Sequence, residues 1–131
     1  MAEHPNEALV RRGYQAFETG DMDTMGKLMT PDVVHRVPGN NQTSGEHKGQ
    51  DEVFAMYSQL FELTGGNLSV ELESVEAQGD DRVVAVHRLR GEREGKTLDV
   101  RETIEFTISG NTISRLDETT EDEAAEDAFW G

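Results

Sequence analysis

The hydrophobic period of the chain changes once, at Gly65-Gly66, from helical to alternating. Before that point Leu9, Val10, Tyr14 and Phe17 recur at helical spacing behind Pro5 and stop at Gly20, which predicts a helix over 5–19. Asp21 caps a second short helix carrying Met22, Met25, Leu28 and Met29, closed off by Pro31. Val33 to Val37 reads as a strand. Pro38 to Gly49 holds three glycines, two asparagines and a serine, the composition of a loop or lid. Val53, Phe54, Tyr57, Leu60 and Phe61 then mark one face of a third helix that ends at Gly65-Gly66.

Past Gly66, alternation predicts strands near 67–77, 82–93, 97–108 and 112–120. The turns between them are Gly79-Asp80-Asp81, Glu94-Gly95-Lys96 and Ser109-Gly110-Asn111, so the second half reads as an antiparallel meander. Leu68, Val70 and Leu72 share one parity and Val75 and Ala77 the other, which places a bulge near Ser74. Residues 121–131 are an acidic tail, exposed or loosely helical, whose Phe129-Trp130 docks onto the domain or a second subunit. Three helices ahead of a curved sheet make an α+β domain, with the helices on the concave face and a pocket between the layers. At 131 residues the chain is read as a single domain.

The clearest chemical signal lies in the third of these strands. Leu98, Val100, Ile104, Phe106 and Ile108 form its dry face, and Glu102 falls among them. A carboxylate in apolar surroundings must be paired, hydrogen-bonded or protonated. Glu102 is therefore either an ion-pair partner, with Arg88, Arg90 or Arg101 as the available cations, or a carboxyl of raised pKa. Alternation puts Arg88 and Arg90 on one face of their strand. With Arg36, Glu102 and Glu118 they would form a charged floor beneath an apolar pocket walled by Tyr14, Phe17, Tyr57 and Phe106.

Composition removes several function classes. Cysteine is absent, so thiolate metal sites and cysteine nucleophiles are excluded. His4, His35, His47 and His87 lack ligand spacing, and no metal site is expected; His35 beside Arg36 and His47 in the lid are candidate pocket residues. Twelve basic against 27 acidic residues give a net charge of −15, which argues against nucleic acid and anionic membranes as partners. Lysine occurs only at 27, 48 and 96, and an acidic surface so poor in lysine suggests a high-salt cytoplasm. Met-Ala-Glu-His-Pro lacks the regions of a signal peptide and no run approaches a membrane span, so a cytoplasmic protein is expected.

Tyr14 to Asp23, Thr30 to Gly39, Gly45 to Gly49, Val100 to Ile104 and Ile113 to Glu118, taken in order, resemble the SnoaL-like branch of the nuclear transport factor 2-like superfamily. That branch includes polyketide cyclases, ketosteroid isomerases and limonene epoxide hydrolases. The resemblance implies a cone-shaped cystatin-like fold, a homodimer through the outer sheet face, and a cofactor-free pocket for a small oxygenated apolar molecule. Three chemistries come with it. The isomerase base position falls close to Arg36, which stays protonated, and its oxyanion-hole acid falls near Ile104. The epoxide hydrolase pattern is met by Arg88, but Arg90 replaces its aspartate and Glu118 replaces the last one. The cyclases' acid/base carboxylate corresponds to Glu118 or Glu102. The resemblance thus implies Glu102, Glu118 and Arg88 as catalytic candidates, with Tyr14, Phe17, His35, Arg36, His47, Tyr57, Arg90 and Phe106 binding the ligand. The alternative is a non-catalytic binding or dimerisation module in which the same charges satisfy one another.

Overall fold

A computed structural model of the chain describes residues 4–131. Met1 to Glu3, which carry part of the signal-peptide reading, lie outside the described residues. The elements run α1 (Pro5–Thr19), α2 (Met22–Leu28), β1 (Met29–Val37), β2 (Gly45–Lys48), α3 (Gly49–Leu63), β3 (Leu68–Gln78), β4 (Arg82–Arg93), β5 (Lys96–Ser109), β6 (Thr112–Thr120) and α4 (Glu123–Trp130). The strands form one sheet in the order β2-β1-β6-β5-β4-β3. All neighbours are antiparallel except β1 and β6, which run parallel.

The expected period change, the three N-terminal helices and the meander are all present. Three boundaries differ. Met29, expected in the second helix, and Pro31, expected to close that helix off, both belong to β1: Pro31 falls between Met29 and Val34, where the β1–β6 register shifts and no ladder partner needs its missing N–H. The expected loop over 38–49 contains β2, which pairs Val34↔Lys48 to Val37↔Gly45 and caps that sheet edge. The acidic tail is a fourth helix, started by the Asp122 carboxylate accepting from the Ala125 amide.

Two hydrophobic clusters hold the layers together. The larger joins Leu9, Val10 and Tyr14 of α1, Val53, Met56 and Tyr57 of α3, and Val83, Ala85, Ile104, Phe106, Ile113 and Leu116 of the sheet. The smaller packs Phe129 and Trp130 of α4 on Leu89, Leu98 and Val100. Each ring removes ~150–250 Å² from water, so this short helix is anchored by its last two side chains. Gly91 makes room for them: a Cβ there would stand 3.5 Å from the Phe129 ring and 3.2 Å from the Asn67 carbonyl oxygen.

The loop after β1 clamps α4 from the other side. Asp127 Oδ1 accepts from the Asn40 amide and the Asn41 side chain, each at 2.8 Å, and Gln42 donates to the Trp130 carbonyl at 2.6 Å. Gly39, at φ 93°, passes so close that a Cβ would meet Asp127 Oδ1 at 2.5 Å. The bulge near Ser74 is at Glu73, where the β3–β4 register shifts between Leu72 and Ser74. No helix among the described residues is long and apolar enough to cross a membrane.

Candidate functional site

Between the helices and the concave face of the sheet lies a cavity of about 750 Å³, a volume that includes open space at its mouth. Its walls are mostly apolar: Val10 and Phe17 of α1, Met56 and Leu60 of α3, Leu89, Ile104, Phe106 and Leu116 of the strands, and Trp130 of α4. The polar groups that enter it are Tyr14, Tyr57, His35, His87, Glu102, Glu118, Glu126 and Thr43.

Six of those groups are ordered in two matching relays. In the first, the Tyr14 hydroxyl on α1 lies 2.6 Å from His87 Nδ1 on β4, and His87 Nε2 lies 2.8 Å from Glu102 Oε1 on β5. The β4–β5 register sets His87 directly opposite Glu102, so both side chains leave the same face of the sheet. In the second, the Tyr57 hydroxyl on α3 lies 2.7 Å from His35 Nδ1 on β1, and His35 Nε2 lies 2.9 Å from Glu118 Oε1 on β6. Here the parallel β1–β6 register, pairing Arg36 with Asp117, brings His35 within reach of Glu118. Each tyrosine also meets its histidine edge-on, with ring centroids 5.4 and 5.5 Å apart.

The relays meet at their carboxyl ends. Glu102, Glu118 and Glu126 each bring an oxygen to within 4.8 Å of the others. Two carboxyl oxygens bond only through a proton. Oε2 of Glu126 is buried without a donor, so a proton on one of these groups completes the cluster. Burial and the mutual repulsion of the carboxylates push Glu118 up to about 8, Glu126 up to about 9 and Glu102 well above the ordinary carboxylate range. Burial pushes His35 down to about 3 and lowers His87, so both imidazoles are neutral at pH 7. Burial raises both tyrosines. The three carboxyls are also the described residues placed to hold a small cation, were they all ionised.

The sequence profile of the SnoaL-like domain matches residues 10–116. The chain belongs to the SnoaL-like domain family. A relative in Mycobacterium tuberculosis, Rv0034, is 39% identical over 130 residues, covering 99% of each chain. Among solved structures, Bal32a from a soil-derived mobile gene cassette superposes with a TM-score of 0.94 at 36% identity, covering 97% of each chain. Rv0760c from Mycobacterium tuberculosis, solved in complex with estradiol-17beta-hemisuccinate, superposes with a TM-score of 0.77 at 22% identity, covering 92% of this chain and 98% of the other.

In this SnoaL-like chain the cavity brings together Glu102, Glu118, Tyr14, Phe17, His35, Tyr57 and Phe106 of the residues singled out from the sequence. It leaves out the arginines. Arg88 and Arg90 do share a face of β4, but it is the outer one: Arg88 pairs with Asp99 at 3.2 Å and Glu73 at 3.8 Å, and Arg90 faces Asp99 at 3.6 Å. Arg101 binds Glu73 at 2.7 Å on that same face, so none of the three neutralises Glu102. The reason is parity: Val83, Ala85, His87 and Leu89 point inward, which sends 88 and 90 out. Arg36 is likewise exposed on β1, next to the inward His35. His47 stands opposite His35 on the edge strand, but its Nε2 bonds the Thr43 carbonyl at 2.8 Å and it does not line the cavity. Without Arg88 inside, the hydrolase-like triad is not assembled.

Three polar groups of the cavity, His87, Glu126 and Thr43, are missing from the candidates drawn from the sequence. His87 was signalled by its inward parity with Val83, Ala85 and Leu89, but Val84 and Val86 made the other parity of β4 equally apolar. Glu126 was signalled by its helical spacing to Phe129 and Trp130.

Proposed function

We propose that this protein binds a small, oxygenated, largely apolar molecule in the cavity and catalyses its cofactor-free isomerisation or cyclisation by general acid/base chemistry. The observation that carries this reading is the cluster of carboxyls at the end of an apolar cavity, each main carboxyl backed by a neutral histidine. An ionised member takes a proton from a carbon of the ligand. A protonated neighbour within 4.8 Å returns one to another carbon, and a tyrosine hydroxyl holds the oxygen where charge develops. Such acid/base steps contribute ~100 to 10,000-fold. The estradiol hemisuccinate held by the Rv0760c structure supports an apolar, oxygenated occupant.

The experiment compares the wild type with Glu102→Gln and Glu118→Gln against a panel of enolisable ketones. The expected result is turnover by the wild type, reduced at least ~100-fold in either variant while binding persists. Binding without turnover in all three proteins overturns the enzymatic part. It favours the second reading, a ligand-binding module, which is supported by the engagement of Glu102 and Glu118 with histidine. A cytoplasmic homodimer joined through the outer face of the sheet completes the proposal, and light scattering in high salt tests the dimer.

A further inference from the structure

The two relays are not separate. Because Glu102 and Glu118 bring carboxyl oxygens to within 4.8 Å of one another, Tyr14, His87, Glu102, Glu118, His35 and Tyr57 lie in one line from α1 through four strands to α3. Counting protons along this line shows what it presents to the cavity. The line has four hydrogen bonds, and protons shared between Glu102 and Glu118 and between Glu102 and Glu126, whose oxygens lie within 4.8 Å of one another, would make a fifth and a sixth. Two tyrosines and two neutral histidines bring four protons. Two more on the carboxyls fill every link and leave both tyrosine oxygens as acceptors. When the carboxyl that acts as base has taken up its proton, a third carboxyl proton is present, as burial of three carboxyls within 4.8 Å of one another favours, and it leaves one donor over.

A neutral imidazole donates from one nitrogen and accepts at the other. If Glu118 donates to His35 Nε2, then His35 Nδ1–H donates to Tyr57, and the Tyr57 proton is turned out towards the ligand. At the far end Tyr14 still donates to His87, so its oxygen offers the ligand lone pairs alone. One tyrosine is then a donor and the other an acceptor.

We propose that these six residues form one hydrogen-bonded chain with a single donor sense, and that the cavity takes an apolar molecule with a hydroxyl and a carbonyl at opposite ends of one conjugated system. The inference rests on the apolar, oxygenated occupant of the preceding section and specifies its two polar ends. The hydroxyl donates to one tyrosine and the carbonyl accepts from the other. The chain also lets the ligand exchange its protons without water. As the ligand O–H passes its proton to Tyr14, each link shifts one proton onward, and Tyr57 delivers its own to the carbonyl oxygen. Every O–H or N–H bond broken is matched by one formed, and the donor sense of the chain is reversed.

The test uses three neutral probes on one bicyclic skeleton: 6-hydroxy-1-tetralone, with both groups, 1-tetralone, with the carbonyl alone, and 5,6,7,8-tetrahydro-2-naphthol, with the hydroxyl alone. Calorimetric titration of the full chain is expected to show the hydroxyketone binding about tenfold more tightly than either single-group probe, one hydrogen bond's worth. Equal binding of all three overturns the inference and leaves the apolar occupant standing. Failure of all three to bind overturns both. Long-range proton–nitrogen NMR of the hydroxyketone complex reads the chain directly, with His4→Gln and His47→Gln clearing the other two imidazoles. One imidazole is expected as the Nδ1–H tautomer and the other as Nε2–H. Two Nε2–H imidazoles break the single donor sense and overturn the proposal.

Discussion

Raising the pH from 6.5 to 8 should destabilise this protein, a direction opposite to that of proteins held by ionised carboxylates. A carboxyl whose pKa is raised by folding binds its proton more tightly folded than unfolded. Its stabilisation is complete below the unfolded value of about 4.5 and is lost as pH climbs through the folded one, about 8 for Glu118 and about 9 for Glu126. The groups that face this cluster are Glu102 of β5, His87 of β4, His35 of β1, and Tyr14 and Tyr57 of the helices. The buried histidines act in the opposite sense, since their folded pKa is depressed, with His35 at about 3; they cost stability as pH falls below about 6.5. At pH 6.5 the unfolded histidines are still half protonated, so the two together offset about 1 kcal/mol of the carboxyl slope in the lower part of the window, and above about pH 7.5 the carboxyls alone set it.

Each protonated buried carboxyl contributes a slope of about 1.4 kcal/mol per pH unit, or about 2 kcal/mol across that window, so Glu118 and Glu126 together give about 4 kcal/mol. For a chain of this length each carboxyl's share corresponds to a fall in Tm of about 6–10 °C. The assay is thermal unfolding followed by circular dichroism in 2 M salt, which screens the general acidic repulsion. Glu126→Gln and Glu118→Gln should each flatten the slope by about one proton's share, whatever they do to the absolute Tm. A wild-type Tm that stays level or rises from pH 6.5 to 8, or an unchanged slope in both variants, would refute the protonated cluster.

Arg88→Ala and Arg90→Ala should change stability by no more than about 1 kcal/mol and leave ligand affinity unaltered in the same calorimetric titrations, because both arginines make outer-face ion pairs. Trp130→Ala should cost about 3–5 kcal/mol in urea unfolding and raise the binding of an apolar fluorescent dye, since Trp130 both anchors α4 and walls the cavity. Tyr14→Phe leaves His87 Nδ1 short of its partner and should cost about 1–3 kcal/mol in the same unfolding assay. Stability should rise from 0.1 M to 2 M salt if the net charge of −15 is adapted to a salty cytoplasm; a Tm that does not rise removes that reading.

The elements of this protein were legible because their signals are local. The helix over 5–19, a second short helix behind Asp21, the stop at Gly65-Gly66, the four-strand meander and the bulge beside Ser74 all follow from side-chain period and turn chemistry within a few residues. The inward carboxyl at Glu102 was visible for the same reason: β5 has one apolar parity and one polar parity. The partner of Glu102 was not. On β4 both parities carry valines, so the chain alone does not say whether His87 or Arg88 turns inward, and electrostatics made arginine the natural guess.

Packing decides it. Val83, Ala85 and Leu89 are drawn against the helices and the α4 rings, and His87 goes inward with them while Arg88 and Arg90 go out to Asp99 and Glu73. The same holds for the acidic tail, whose Glu126 becomes a cavity residue only because Phe129 finds a place over Gly91 and Trp130 packs in the same cluster. Sequence therefore determined the segments, their order and the family, all properties of near neighbours along the chain. The meeting of Tyr14 with His87, Tyr57 with His35, and three glutamates with one another joins groups from α1, α3, α4 and four strands, and only their tertiary registers bring those groups into contact.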